Sequence, residues 1–124
     1  MKHVCRTLAG MAGAWVLAGG AVAATISTPM LFPDGVNYLD CVANNVSAVR
    51  ISTVTVSVID ANGAVLDTTT CSAFAPNDYC FASGTSNTGG YCRVVYTGAA
   101  NNLRAAITLS NGATGAPMAV LPAQ

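Results

Sequence analysis

The segment Thr53-Val54-Thr55-Val56-Ser57-Val58 alternates hydroxyl side chains with valines without a break. Successive side chains of a strand point to opposite faces of a sheet, so a period of two predicts a half-buried strand. Val54, Val56 and Val58 are therefore expected on the face that packs against the core.

The sequence Asp60-Ala61-Asn62-Gly63 follows that strand and has the residue preferences of a type I turn. A three-residue loop that ends at Gly63 sets Val58 opposite Leu66 and Val56 opposite Thr68 in a first hairpin. A slip of one residue would turn every side chain to the other face.

A second hairpin is predicted around the loop 98–101, because the alternation of 103–109 matches that of the residues before the loop. Its expected pairs are Tyr96 with Leu103, Val94 with Ala105, and Cys92 with Ile107. The apolar faces of the two strands agree in this register, which favours it over its neighbours.

Turn signals recur every 8 to 12 residues along the rest of the chain, and no stretch between them has helical spacing. The remaining strand candidates are 26–31, 36–43, 79–82 and 118–121. About seven or eight short antiparallel strands of this kind predict an all-β sandwich or small barrel.

The N-terminus has the order of a secretory signal peptide, with the basic residues Lys2, His3 and Arg6 before the apolar run 8–22. The small residues 21–24 predict cleavage after Ala23 or Ala24. The run is shorter than a membrane span needs. We expect a signal peptide at 1–24, a single domain at 25–124, a secreted or periplasmic location, and no stable membrane insertion after cleavage.

Four cysteines remain after cleavage, at positions 41, 71, 80 and 92. An even number in a small exported domain predicts two disulfides, although the sequence leaves three connectivities open. A zinc site is not expected, because close C-x-x-C pairs and histidine ligands are absent from residues 25–124 of the sequence.

The strand count, the length and the cysteine placement resemble an immunoglobulin-like β-sandwich. In that family a cysteine on the second strand bridges to one on the sixth, which implies Cys41–Cys92 across the core and leaves Cys71–Cys80 as a local bridge. Residues 25–124 lack the family's tryptophan, and Gly90 stands where its tyrosine would precede the later cysteine. The resemblance therefore implies architecture and no function.

Charged side chains are few after cleavage: three arginines against five aspartates, a formal net charge of −2. Such a chain has no basic footprint for phosphates, so nucleic acid is not an expected partner. The loss of His3 and Lys2 removes imidazole and amine catalysis. A hydrolase acting through Asp40 and Asp67 is the remaining enzymatic alternative, and no cofactor or metal is predicted.

Arg93 and Arg104, with Val95 beside them, are predicted to project from one outward face of the second hairpin. Arginine next to exposed apolar surface is common at interfaces, so this face is the first candidate for contacting a partner. Three weaker signals accompany it, and each has a structural explanation as well. They are a hydroxyl-rich face of Thr53, Thr55, Ser57 and Thr69, a mobile loop at 83–90, and the glycosylation acceptor pattern Asn45-Val46-Ser47.

These observations predict an exported, disulfide-stabilised, non-catalytic binding module with a protein or glycan partner. The alternatives are a structural or assembly subunit of an envelope or extracellular fibre, whose edge strand pairs with a neighbour, and the small hydrolase acting through aspartates.

Overall fold

The computed structural model describes residues 23–32, 35–99 and 102–123, which form eight strands in two antiparallel sheets. The strands are β1 Ala23–Ser27, β2 Asn37–Asn45, β3 Ile51–Asp60, β4 Val65–Phe74, β5 Tyr79–Ser86, β6 Gly90–Thr97, β7 Leu103–Asn111 and β8 Pro117–Pro122. The expected signal peptide lies outside the described residues except for Ala23 and Ala24, which begin β1. No helix in the described ranges is long and apolar enough to cross a membrane.

The two sheets pack face to face as a β-sandwich, so the predicted all-β class is confirmed. One sheet has the strand order β1-β6-β3-β4 and the other the order β5-β2-β7-β8. The alternation in β3 is confirmed, because Val54, Val56 and Val58 are all fully buried. The buried core is Leu39, Cys41, Ala43, Ile51, Val54, Val56, Val58, Phe74, Cys80, Ala82, Cys92, Val94, Tyr96, Leu103, Ala105, Ile107 and Leu109.

Two disulfides join the sheets, in the connectivity that the resemblance implied. Cys41 on β2 bridges to Cys92 on β6 in the middle of the core, with a Cα–Cα distance of 5.7 Å. Cys71 on β4 bridges to Cys80 on β5, with a Cα–Cα distance of 6.0 Å. Each bridge runs from one sheet to the other, so both hold the sandwich closed. Two disulfides also suggest an oxidising, extracytoplasmic environment.

The predicted second hairpin is wrong, because β6 and β7 lie in different sheets. β6 pairs with β1 and β3, whereas β7 pairs with β2 and β8. The chain passes from one sheet to the other between Thr97 and Leu103, where the amide of Asn102 donates to the carbonyl of Ala99 at 3.0 Å. The inward side chains were predicted correctly, since strands on opposite sides of a core bury the same faces as strands side by side.

The first hairpin exists, but its register differs by one residue beyond the turn. Asp60 accepts the amides of Asn62 and Ala64 as the turn chemistry predicts, at 2.9 and 2.7 Å. Val58 nevertheless pairs with Asp67 rather than Leu66, because the register shifts between Val58 and Ile59. Such a shift is a β-bulge, and Leu66 is its extra residue.

The order of the outer strands departs from the immunoglobulin arrangement. In that arrangement the first strand lies beside the second and the seventh beside the sixth. In this chain β1 lies beside β6 and β7 lies beside β2. Gly90 also explains the missing tyrosine, since a Cβ there would lie 2.5 Å from the carbonyl oxygen of Ile59.

Asn45 ties together the crossings at one end of the sandwich, and its side chain is 1% exposed. Its amide nitrogen donates to the carbonyls of Val49 and Phe74 at 2.9 and 3.0 Å. Its backbone exchanges hydrogen bonds with the turn at 75–78, at 2.9 and 3.0 Å. The side chain is therefore inaccessible in the folded protein, so Asn45 holds loops rather than presenting a glycan acceptor.

We expect Asn45→Ala to lower the free energy of unfolding by about 2–4 kcal/mol, because the buried carbonyl of Phe74 loses its donor and the bonds of the Asn45 side chain to Val49 and Ser47 are lost as well. Asn44→Ala is the matched control, since Asn44 is exposed on the same strand and should change stability by less than about 0.5 kcal/mol. Urea unfolding followed by circular dichroism measures both. Equal losses for the two variants would contradict the role given to Asn45.

Candidate interaction surface

The predicted interaction face of Arg93, Val95 and Arg104 is divided between the two sides of the sandwich. Arg93 and Val95 lie on the outer face of the β1-β6-β3-β4 sheet, where both are exposed. Arg104 lies on β7 in the other sheet, opposite Asn44. The prediction that the three share a face was wrong because it depended on the second hairpin.

The outer face of the β1-β6-β3-β4 sheet is covered by hydroxyl side chains, and we call it the hydroxyl face. Its members are Thr25, Ser27, Thr55, Ser57, Thr68 and Thr70, with Arg93 and Val95 between them. Their hydroxyls bond to one another across strands, Thr68 to Ser57 at 2.7 Å and Thr55 to Thr70 at 3.0 Å. Of the residues predicted to form a hydroxyl-rich face, Thr53 is exposed and lies opposite Ser72. Thr69 does not share that face, because the bulge sets it opposite the buried Val56.

The segment 83–90 was predicted to be a mobile loop, but most of it belongs to β5 and to a tight turn. β5 continues to Ser86, whose hydroxyl donates to the carbonyl of Gly89 at 2.9 Å and accepts the amide of Thr88 at 3.1 Å. Only 87–89 connect β5 to β6, so no long binding loop exists there.

The outer face of the β5-β2-β7-β8 sheet exposes several large apolar side chains among polar ones, and we call it the aromatic face. Its apolar members are Tyr38, Val42, Tyr79, Phe81, Ala106, Met118, Val120 and Pro122. Phe81 is 44% exposed and Val120 is 58% exposed. The register places Phe81, Val42, Ala106 and Pro122 in one row that crosses all four strands. Several large apolar side chains are thus exposed on one face, and clustered exposed apolar residues often mark interaction sites.

Two charged residues lie on either side of that row. Asp40 lies in the row on one side. Its carboxylate accepts hydrogen bonds from the hydroxyls of Ser83 and Ser110, at 2.5 and 3.4 Å. Arg104 lies in the row on the other side, where its guanidinium donates to the carbonyl of Leu103 at 3.1 Å. The aromatic face thus has one carboxylate and one guanidinium, with no net charge between them.

The two edges of this sheet are protected against pairing with another strand. At β5, the Asp67 carboxylate of the opposite sheet accepts the amide of Ser83 at 3.0 Å. At β8, prolines stand at both ends, at positions 117 and 122. Inward-pointing charges and prolines are common ways of blocking an edge. The accessible part of this sheet is therefore its outer face.

Asp40 and Asp67, the residues of the hydrolase alternative, both contact Ser83 but through different atoms. Asp40 accepts the side-chain hydroxyl, whereas Asp67 accepts the backbone amide. In these contacts both carboxylates fix β5 in place. Among residues 23–32, 35–99 and 102–123, no cavity is found and no group of three His, Cys, Asp or Glu side chains could hold a metal ion.

Among the residues that the structure describes, Tyr96 has a pKa that departs clearly from its ordinary value. Burial raises the pKa of its phenol, and the charge of the nearby Arg104 offsets part of that rise. The hydroxyl donates to the carbonyl of Ala99 at 3.2 Å, in the crossing from β6 to β7. The side chain therefore anchors the crossing between the sheets.

The aromatic face was not predicted, although part of its pattern is readable in the sequence. In β2, Tyr38, Asp40 and Val42 alternate with the buried Leu39, Cys41 and Ala43, so the outward side of the strand also carries apolar residues, at Tyr38 and Val42. The signal was incomplete because the neighbours of β2 were unknown. Placing Phe81 and Ala106 beside Val42 needed the correct strand order.

Comparison with known proteins gives no match to any family model, to any curated protein or to any solved structure.

We expect the free energy of unfolding to fall as the pH rises above about 10, with Tyr96 contributing to the fall. Because the folded protein holds the phenol proton more tightly than the unfolded chain does, the contribution is complete below about pH 10 and is lost as the pH rises through the folded pKa. Tyr96→Phe should reduce the alkaline loss, whereas Tyr79→Phe, at an exposed site, should not. Urea unfolding between about pH 8 and pH 11 measures this. An unchanged pH slope in Tyr96→Phe would contradict it.

Proposed function

We propose that this protein is an exported, disulfide-stabilised, non-catalytic interaction module of the bacterial periplasm or cell exterior. The aromatic face carries this proposal. It exposes Phe81, Tyr79 and Tyr38 on a sheet whose hydrogen bonds fix their spacing. Large aromatic side chains held on a rigid scaffold are typical of binding surfaces.

The contrast between the two outer faces supports the choice of surface. On the hydroxyl face, serine and threonine side chains bond to one another, which reduces their need for an external partner. On the aromatic face, Phe81 and Val120 leave apolar area in contact with water. Covering that area with a partner is favourable, because apolar surface is then removed from water.

The proposed location follows from the signal-like N-terminus together with the two disulfides. An oxidising compartment keeps both bridges formed. The two covalent links between the sheets then add stability to the folded domain.

A second candidate function, an assembly subunit of an envelope or fibre, is favoured by one observation. β1 is a sheet edge, and its residues Thr25, Ile26 and Ser27, which remain after the expected cleavage, have neither charge nor proline. An edge of that composition lacks the common protections against pairing with a neighbouring chain. This candidate predicts particles that grow with concentration beyond a dimer, which light scattering on the purified protein detects.

The test of the proposed function is site-specific photo-crosslinking in intact cells that produce the protein with its own N-terminus. A photoreactive phenylalanine analogue replaces Phe81 on the aromatic face, and in a matched control it replaces Thr70, which is exposed on the hydroxyl face. We expect a discrete cross-linked product from position 81 and little or none from position 70.

Two results would overturn the proposal. One is the absence of any product at position 81 when the protein is exported and folded. The other is equal labelling at both positions, which would mean contact without a preferred surface. Measurement of the intact, non-reduced mass confirms that each variant is cleaved and doubly bridged before the comparison is made.

A further inference from the structure

We propose that the partner of the aromatic face is the same face of a second copy of this chain, in a two-fold symmetric dimer with the sheets packed face to face. The inference rests on the proposed function, since it names the partner of that surface. It is drawn from the register of the four strands and from the positions of the two charges.

The row Phe81, Val42, Ala106 and Pro122 is where the symmetry axis would lie. Rotation by half a turn about this row, in the plane of the interface, brings each of its residues opposite its own copy. Phe81 then packs on Phe81 and Val42 on Val42, so the apolar row covers itself. Two sheets packed in this way lie about 10 Å apart, and their inner side chains interdigitate.

The same rotation exchanges the rows on either side of the axis. Along β2, Asp40 is the next outward-facing residue on one side of Val42. Asn44, which is paired with Arg104, is the next outward-facing residue on the other side. Asp40 of one copy therefore faces Asn44 of the other, with Arg104 one strand away, about 4.8 Å in the sheet. A carboxylate thus meets a guanidinium twice, once on each side of the axis. Self-complementarity of this kind is what an isologous interface requires.

The size of the face is sufficient for a specific but modest dimer. Four strands about 4.8 Å apart, with about eight residues each, present a plane of about 500 Å². Two such faces bury about 1,000 Å² in total, which is the lower bound for a specific interface. Because Asp67 and the prolines of β8 protect the edges of this sheet, the face is its available route to self-association.

The experiment uses charge reversal in the whole exported protein, with mass measured by light scattering and by native mass spectrometry. Asp40→Arg sets an arginine near Arg104 of the other copy on each side of the axis, and Arg104→Asp sets an aspartate near Asp40 of the other copy in the same way. Each variant alone should weaken dimer formation at least about tenfold, because like charges in an interface repel. An equimolar mixture of the two should form a heterodimer, since every repulsive pair becomes attractive.

Arg93→Asp is the matched control, because it makes the same charge change on the hydroxyl face and should leave dimer formation unchanged. Phe81→Asp is a second variant that does not disturb the hydrogen bonds of Asp40, and it should also be monomeric. Circular dichroism of each variant reports whether it is folded.

A wild-type protein that stays monomeric up to about 1 mM would overturn the inference. So would a dimer that Phe81→Asp does not weaken, or a mixture of the two charge variants that stays monomeric. A cross-linked product to a different protein at position 81, together with a monomer in solution, would leave the proposed function standing and remove only this inference. No product at that position would remove both.

Discussion

The bridge between Cys41 and Cys92 is the constraint on which the rest of this structure depends. It lies fully buried between β2 and β6, which are inner strands of opposite sheets. The second bridge closes the β4–β5 side, where the turn 75–78 also links the two sheets. A domain of about 100 residues buries a limited core, so covalent links between its layers contribute a sizeable share of its stability. Asn45 and Tyr96 add hydrogen bonds that hold the crossings between the sheets at the ends of β2 and β6.

The inward side of most strands could be predicted from the sequence, but which strands lie side by side could not. Alternation in Val94–Tyr96 and in Leu103–Leu109 identifies buried positions correctly. It does not distinguish a hairpin from a crossing between sheets, since both arrangements bury the same residues. The loop at 98–102 is short enough for either, so strand order required the three-dimensional contacts. The one-residue error in the first hairpin has a similar origin, because nothing local in the sequence marks Leu66 as a bulge.

The candidate site depended on strand order more than the core did. Arg93 and Arg104 were predicted to share one outward face, and the crossing between β6 and β7 put them on opposite faces. The same crossing set β7 beside β2, which brought Ala106 next to Val42 and so completed the aromatic face. An outer face is a property of the whole sheet, whereas a buried position can be recognised within one strand. This is why the sequence alone indicated the core better than the surface.

The most direct test of this account compares the two bridges by urea unfolding of the oxidised protein. The chain-entropy model assigns about 4 kcal/mol to the Cys41–Cys92 bridge, which closes the longer loop, and about 2.7 kcal/mol to the Cys71–Cys80 bridge. We predict that the double variant Cys41→Ala/Cys92→Ala loses more stability than Cys71→Ala/Cys80→Ala, which should remain a folded sandwich. An equal or smaller loss on removing the Cys41–Cys92 bridge would contradict the claim that this bridge is the main link between the sheets.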